Sequence, residues 1–197
     1  MVGTPSTIST ATADAAVIAR SRADGQAFST IVDRHFVAIH RYLARRIGSD
    51  RADDLAAQAF AIAFRRRGDF DKSAESARPW LFGIATNVLR NDLRSERRML
   101  AAVARIDRTA GEDLADEVER SLARADAACE LARIAGAIAA LDSDQRDVLL
   151  LHAWGELSQS EIAAALGVPV GTVYSRLSRA RASLQRASSD LSASESC

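Results

Sequence analysis

The chain has 197 residues, 48% of them hydrophobic, enough to build the core of one large domain or two small ones. Its 26 basic and 26 acidic residues cancel, so global charge gives no support to nucleic-acid binding and the local distribution has to be read instead. Cys129 and Cys197 lie far apart, and neither these nor His35, His40 and His152 stand at metal-ligand spacing, which speaks against zinc and structural disulfides and fits a reducing cytoplasm. The first residues lack a basic start followed by an apolar core, so no signal peptide is predicted. No apolar run approaches the ~20 residues that span a bilayer. There is no Gly-rich phosphate loop, and Ser175 and Ser178 have no base partner in their sequence context. The expectation is a soluble cytoplasmic protein, not an enzyme, without catalytic residues, metal or cofactor.

Aromatic residues make up only 5% of the chain, alanine is abundant, and no alternating run of strand length occurs, which predicts an all-α fold. In chain order, residues 1–23 read as a disordered tail and 24–100 as a three-helix domain. Residues 101–128 read as an acidic linker, 129–188 as a second helical domain, and 189–197 as a disordered tail. In the first domain Phe28, Ile31, Val32, Phe36, Ile39, Tyr42, Leu43 and Ile47 recur at three- and four-residue steps up to Gly48. Ser49 or Asp50 can cap the next helix, about Arg51 to Arg67, whose core side takes Leu55, Phe60 or Ala59, Ile62 and Ala63. The polar stretch DFDKSAESA, 69–77, reads as a loop. Arg78-Pro79-Trp80 opens a third helix, with Pro in a tolerated first-turn position. Trp80, Leu81, Ile84, Ala85, Val88 and Leu89 form its stripe, and its end is basic: Arg90, Arg94, Arg97 and Arg98.

Between 101 and 130 acids outnumber bases eight to four and the apolar period weakens, the mark of a tether. Asp142 or Ser143 is a candidate N-cap for the helix containing DVLLLHAW. Two short helical patterns then meet across Gly167-Val168-Pro169, a helix-turn-helix. In the second, Val173, Leu177, Ala180 and Leu184 form one inward stripe. At about 100° per residue, Ser175, Ser178 and Ala182 face the other way, with Thr172, Arg176 and Arg179 on one edge and Tyr174 and Arg181 on the other. Small hydroxylic residues rimmed by arginines suit a helix entering a DNA major groove. No acid interrupts the stretch from Ile162 to Ser189.

Three stretches carry a family resemblance. These are Asp54-Leu55-Ala56-Ala57-Gln58-Ala59-Phe60, Arg78-Pro79-Trp80-Leu81-Phe82-Gly83-Ile84-Ala85-Thr86-Asn87, and the helix-turn-helix LSQSEIAAALGVPVGTVYSRLSRARASL. In this order and spacing the chain resembles a bacterial RNA polymerase sigma factor of the extracytoplasmic-function (ECF) group of the sigma-70 family. Such a factor carries two helical domains, region 2 and region 4, and the match covers about residues 27–98 and 131–187. The resemblance implies a factor that binds core polymerase and directs promoter-specific initiation at −10 and −35 elements. Asp54, Gln58 and Phe60 would contact the β′ clamp helices. The loop 70–77 with Asn87, Arg90, Asn91 and Arg94 would engage the −10 element. Thr172, Tyr174, Ser175, Arg176, Ser178 and Arg179 would read the −35 element, with the β flap as a second polymerase contact. The linker would thread towards the active cleft and RNA exit channel. Trp80 is expected in the core rather than as a base wedge, and an anti-sigma factor is an implied partner.

Two positions depart from the family pattern: Tyr174 stands where a basic residue is frequent, and Ala57-Gln58 replace a Gln-Glu pair, removing a carboxylate from the β′ contact. The competing readings are a stand-alone helix-turn-helix regulator, whose first domain would enclose a ligand pocket or expose a self-complementary apolar face, and an interaction-only decoy. The basic end of the third helix and the polar loop beside it favour the sigma reading over the first, and the arginines of the last helix speak against the second.

Overall fold

A computed structural model describes the backbone of residues 10–71, 73–74, 76–106 and 135–194. The described residues form helices and no strand. These are α1 (Thr10–Arg20), a 3-10 turn (Gly25–Phe28), α2 (Ser29–Ile47), α3 (Ser49–Arg65), α4 (Arg78–Ile106), a helical run at 135–140, α5 (Ser143–Ala153), α6 (Gln159–Leu166) and α7 (Val170–Ser194). The all-α expectation holds.

The chain divides into two compact units that are not consecutive in sequence. One comprises Met1–Asn91 with Leu151–Val170, the other Asp92–Leu150 with Gly171–Cys197. In the first unit the periodic residues of α2 behave as their spacing demands: Ile31, Ile39, Tyr42 and Leu43 are buried, while Val32, Phe36 and Ile47 are half-buried. In α3 both Ala59 and Phe60 are buried with Leu55, Ala63, Ala52 and Ala56, but Ile62, expected inside, is half-buried. The α4 stripe of Leu81, Ile84, Ala85, Val88 and Leu89 is buried, as is Phe82, whose ring packs edge-on to Tyr42 at 5.3 Å. The buried Tyr42 hydroxyl is satisfied by Thr86 Oγ1 at 3.1 Å and by Arg46 at 3.0 Å, as a buried phenol requires.

Three expected boundaries are corrected. Residues 10–20 are not a tail but the helix α1, with Ile18 only 1% exposed. Eleven residues are too few to hold a helix in isolation, so its stability comes from burying Val17 and Ile18 and from tertiary bonds of Asp14, which propensity cannot reveal. The third helix does not end near 100 but runs to Ile106, because RSERRMLAAVARI has good helix formers and no Gly or Pro. Helix α7 likewise continues past 188, to Ser194, with no Gly or Pro to stop it. The remaining tail positions, 1–9 and 195–197, and the linker positions 107–128 lie outside the described residues.

Candidate nucleic-acid interface

Helix α6 is opened by a capping box: Ser158 Oγ accepts from the Glu161 N–H at 3.3 Å, and Glu161 Oε2 accepts from the Ser158 N–H at 2.8 Å. Two of the unpaired donors of the first turn are thereby satisfied. The helix stops at Gly167, φ 65°, whose N–H bonds back to Ala163, a left-handed cap that costs glycine nothing. Pro169 then leads into α7. There Val173, Leu177 and Ala180 are buried and Leu184 is half-buried, so the inward stripe has the expected phase.

The phase decides the outer face. Tyr174 is 56% exposed, and Ser175, Ser178, Arg179 and Arg181 are exposed with it. Ser175 Oγ donates to the Thr172 carbonyl at 2.9 Å, and its lone pairs remain for an incoming donor. Thr172 is half-buried. Arg176 differs from the other candidates: its side chain is 22% exposed and is ion-paired with Asp144 in the first turn of α5. It joins two helices of its unit, a positional difference from Arg179 that a helical wheel does not register.

The second candidate set lies on α4. Asn87, Arg90, Asn91 and Arg94 follow one another at three- and four-residue steps along one helix face, Asn87, Asn91 and Arg94 exposed and Arg90 half-buried. Within the first unit Asn87 borders a cleft of about 1010 Å³, lined also by Phe70, Asp71, Trp80, Ser160 and Glu161. Phe70 is buried with its ring 5.3 Å from that of Trp80. Trp80 itself is half-buried at the cleft wall rather than fully in the core. Gly83 lets α6 pass close to α4 in this unit, since a Cβ there would collide with the Ala165 carbonyl oxygen.

The loop before α4 is ordered by local bonds. Asp71 Oδ1 accepts from the Ser73 N–H at 2.9 Å and from its hydroxyl at 2.8 Å, bonds that hold the Asp71 carboxyl below the usual carboxylate range. Arg66 pairs with Asp69 at 3.2 Å. Asp14 matters more, at 2% exposed. Its carboxylate accepts from Arg34 at 3.0 Å, His35 Nε2 at 2.8 Å and the Ala77 N–H at 3.2 Å. Burial by itself would raise this carboxyl; the bonds from His35, Ala77 and Arg34 outweigh it and hold the group below its ordinary value.

The third set separates. Asp54 and Gln58 are exposed one turn apart on α3, so both can meet a partner. Phe60 cannot: it is 6% exposed, with Phe36 stacked 6.1 Å away, and it is corrected from a contact residue to a core residue. Of the supporting residues, Asp14 lies in the stretch expected to be a tail, and Phe70 and Asp71 lie in the loop 70–77 without an individual role predicted from the sequence. Only Phe70, an aromatic alone in a polar stretch, leaves a sign in the sequence.

Comparison with known proteins finds two family matches along the chain. The family described as Sigma-70 region 2 matches residues 31–99, and that described as Sigma-70, region 4 matches residues 131–184. The RNA polymerase sigma factor CnrH of Cupriavidus metallidurans is 35% identical over 85% of this chain and 91% of its own. The ECF RNA polymerase sigma factor SigW of Bacillus subtilis is 31% identical over 86% and 93%. Among solved structures, CnrH in complex with the cytosolic domain of CnrY is similar with a TM-score of 0.61 and 31% identity, over 88% of this chain and 95% of that one. The sigma factor RpoE in complex with the anti-sigma factor NepR from Bartonella quintana gives 0.58 and 26%, over 81% and 95%.

Proposed function

Because the chain belongs to the ECF group of the sigma-70 family of RNA polymerase sigma factors, and so directs promoter-specific initiation, we propose which of its residues read which promoter element. Helix α7 reads the −35 element in the major groove through Tyr174, Ser175, Ser178 and Arg179. Arg176 braces that helix against α5 through Asp144 and reaches DNA only at its edge. The observation that carries this reading is the burial of Val173, Leu177 and Ala180, which leaves the hydroxyls, Tyr174 and Arg179 on the outer side. Short hydroxylic side chains allow close approach to base edges, and arginine serves phosphate or guanine.

The α4 face of Asn87, Arg90, Asn91 and Arg94, with the cleft beside it, reads the −10 element. A melted strand needs a recess for an extruded base, polar groups for its edge and cations for its phosphates. The cleft bounded by Phe70, Trp80 and Asn87 supports that assignment. Asp54 and Gln58 meet the polymerase β′ clamp helices, the second domain meets the β flap, and promoter DNA completes the assembly. An anti-sigma factor is a further partner, as NepR is for RpoE. Sigma factors are non-catalytic, and the chemistry of transcription belongs to polymerase. No helix among the described residues is long and apolar enough to cross a membrane, and the protein works in the cytoplasm with its polymerase.

The test is run-off transcription by core polymerase with and without the protein on a promoter library, reading both elements and the spacer. Promoter-selective transcripts that need the protein are expected. Sequence-specific DNA binding by the protein alone, with no selective transcription on adding core, would return the assignment to a stand-alone regulator.

A further inference from the structure

The loop from Arg66 to Ala77 joins α3 to α4, and both of its feet are tied to one segment far away in sequence. At the first foot the Arg22 Nη2 donates to the Gly68 carbonyl at 2.8 Å and to the Arg67 carbonyl at 3.3 Å. Arg67 Nε answers by donating to the Ser21 carbonyl at 3.1 Å. At the second foot the Ala77 N–H, one residue before α4, donates to Asp14 at 3.2 Å. Asp14 is itself moored to α2 through Arg34 and His35. The nine residues from Asp14 to Arg22 therefore carry both contacts that grip the loop, at positions 67–68 and 77. This segment precedes both family-matched spans, which begin at 31 and 131.

We propose that the segment Asp14–Arg22 is a clasp that positions the −10-reading loop, and that Asp14 and Arg22 are specificity-determining residues for promoter recognition without touching DNA themselves. The proposal rests on the assignment of this loop to the −10 element. The physical argument is pre-organisation. A loop that reads a base edge must hold its polar groups near their working geometry before the strand arrives, or binding energy is spent ordering it. Among its described residues the interior of this loop is held by supports of short range, such as the Asp71–Ser73 bonds, the Arg66–Asp69 pair and the Phe70 wedge against Trp80. Those supports shape the turn but do not set where it stands on the domain. The Arg22 and Asp14 contacts do, because they fix its two ends against α1 and α2. A carboxylate at the start of α4 also suits the positive end of the helix dipole. The register of Asn87 relative to the loop thus depends on a residue more than seventy positions upstream.

The experiment uses the full chain reconstituted with core polymerase. A promoter selected from a randomised library is substituted singly at −10 and at −35, and discrimination is the ratio of transcripts from parent and substituted template. Arg22→Ala is the main variant, because Arg22 is exposed and its loss leaves the core packed. Arg22→Ala is expected to lower −10 discrimination about threefold and Asp14→Ala about tenfold, with −35 discrimination and affinity for core unchanged. Arg22→Lys, which still donates to carbonyls, should restore most of the loss. Asp71→Ala inside the loop separates the two ideas. If Asp71→Ala alters −10 discrimination while Arg22→Ala and Asp14→Ala do not, the clasp is overturned and the loop assignment stands. If none of the three alters it, both fall. Equal loss at −10 and −35 that tracks a lowered melting temperature also overturns the clasp, since that marks a residue acting only through overall stability.

Discussion

The two regions proposed to face DNA are built by different means. Helix α7 orients its reading residues through its own periodicity: bury Val173, Leu177 and Ala180, and the positions of Tyr174, Ser178 and Arg179 follow from 3.6 residues per turn. The loop before α4 has no such internal ruler. Its course depends on Asp14, Arg22, Phe70 and Trp80, four residues spread over three parts of the chain. A surface set by local period tolerates loss of any single distant contact. A surface set by long-range bonds does not, and single substitutions can separate the two cases.

The largest effect is expected from Leu177→Ala. Removing a buried leucine from the α7 stripe should destabilise its unit by about 2–5 kcal/mol, and a melting curve identical to the parent would show that the helix phase is wrong. Next comes Asp14→Ala, which strands the Ala77 N–H and the buried side of His35. It should cost about 1–3 kcal/mol and loosen the loop, seen as faster amide exchange at Ala77 with α7 unchanged. The sign of its pH dependence follows from the lowered Asp14 pKa. The folded state prefers the ionised carboxylate, so the contribution is complete above the ordinary value of 3.8 and is lost as pH falls through the lower folded value. The stability gap between parent and Asp14→Ala should therefore close in strong acid, and a gap that widens there would reject the assignment.

The two arginines of α7 sharpen the contrast within one helix. Arg179→Ala should weaken −35 binding of the holoenzyme and flatten its dependence on log salt by about one unit if the contact is to phosphate, with the melting temperature unchanged. Arg176→Ala should do the reverse: a stability loss of about 0.5–1 kcal/mol from breaking the partly exposed pair with Asp144, with a smaller change in the salt slope. If the two variants behave alike in both measurements, the structural separation of Arg176 from the reading face is wrong. The smallest effect belongs to Ser178→Ala, which should relax preference at one −35 position by about 1 kcal/mol or less without altering −10 discrimination.

Much of this was legible because helices advertise themselves. Gly48, Gly167 and Pro79 punctuate the chain where helices end or begin, and the stripes of α2, α4 and α7 predicted their buried faces from spacing alone. Failures came where tertiary context overrode local signal. Phe60 sits in a motif that the family resemblance places on the polymerase, yet its ring is packed beside Phe36; a motif position does not say which way a side chain points. Ile62 has the residue type of a core position but lies only half inside, because the alanines Ala52, Ala56, Ala59 and Ala63 let α3 pack closely along a different line.

What the amino-acid order determined by itself is a helical chain, the inward stripes of its helices and the motifs that place it among sigma factors. These are properties of residues a few positions apart, where helix geometry converts spacing directly into facing. Only the tertiary structure decided that Thr10–Arg20 is a helix rather than a tail and that Arg176 is engaged by Asp144. It also decided that Asp14 and Arg22 hold the two feet of the loop. Each of these depends on contacts across 20 to 63 residues or on burial against neighbours distant in sequence. No local period encodes such a contact; it exists only once the helices have packed.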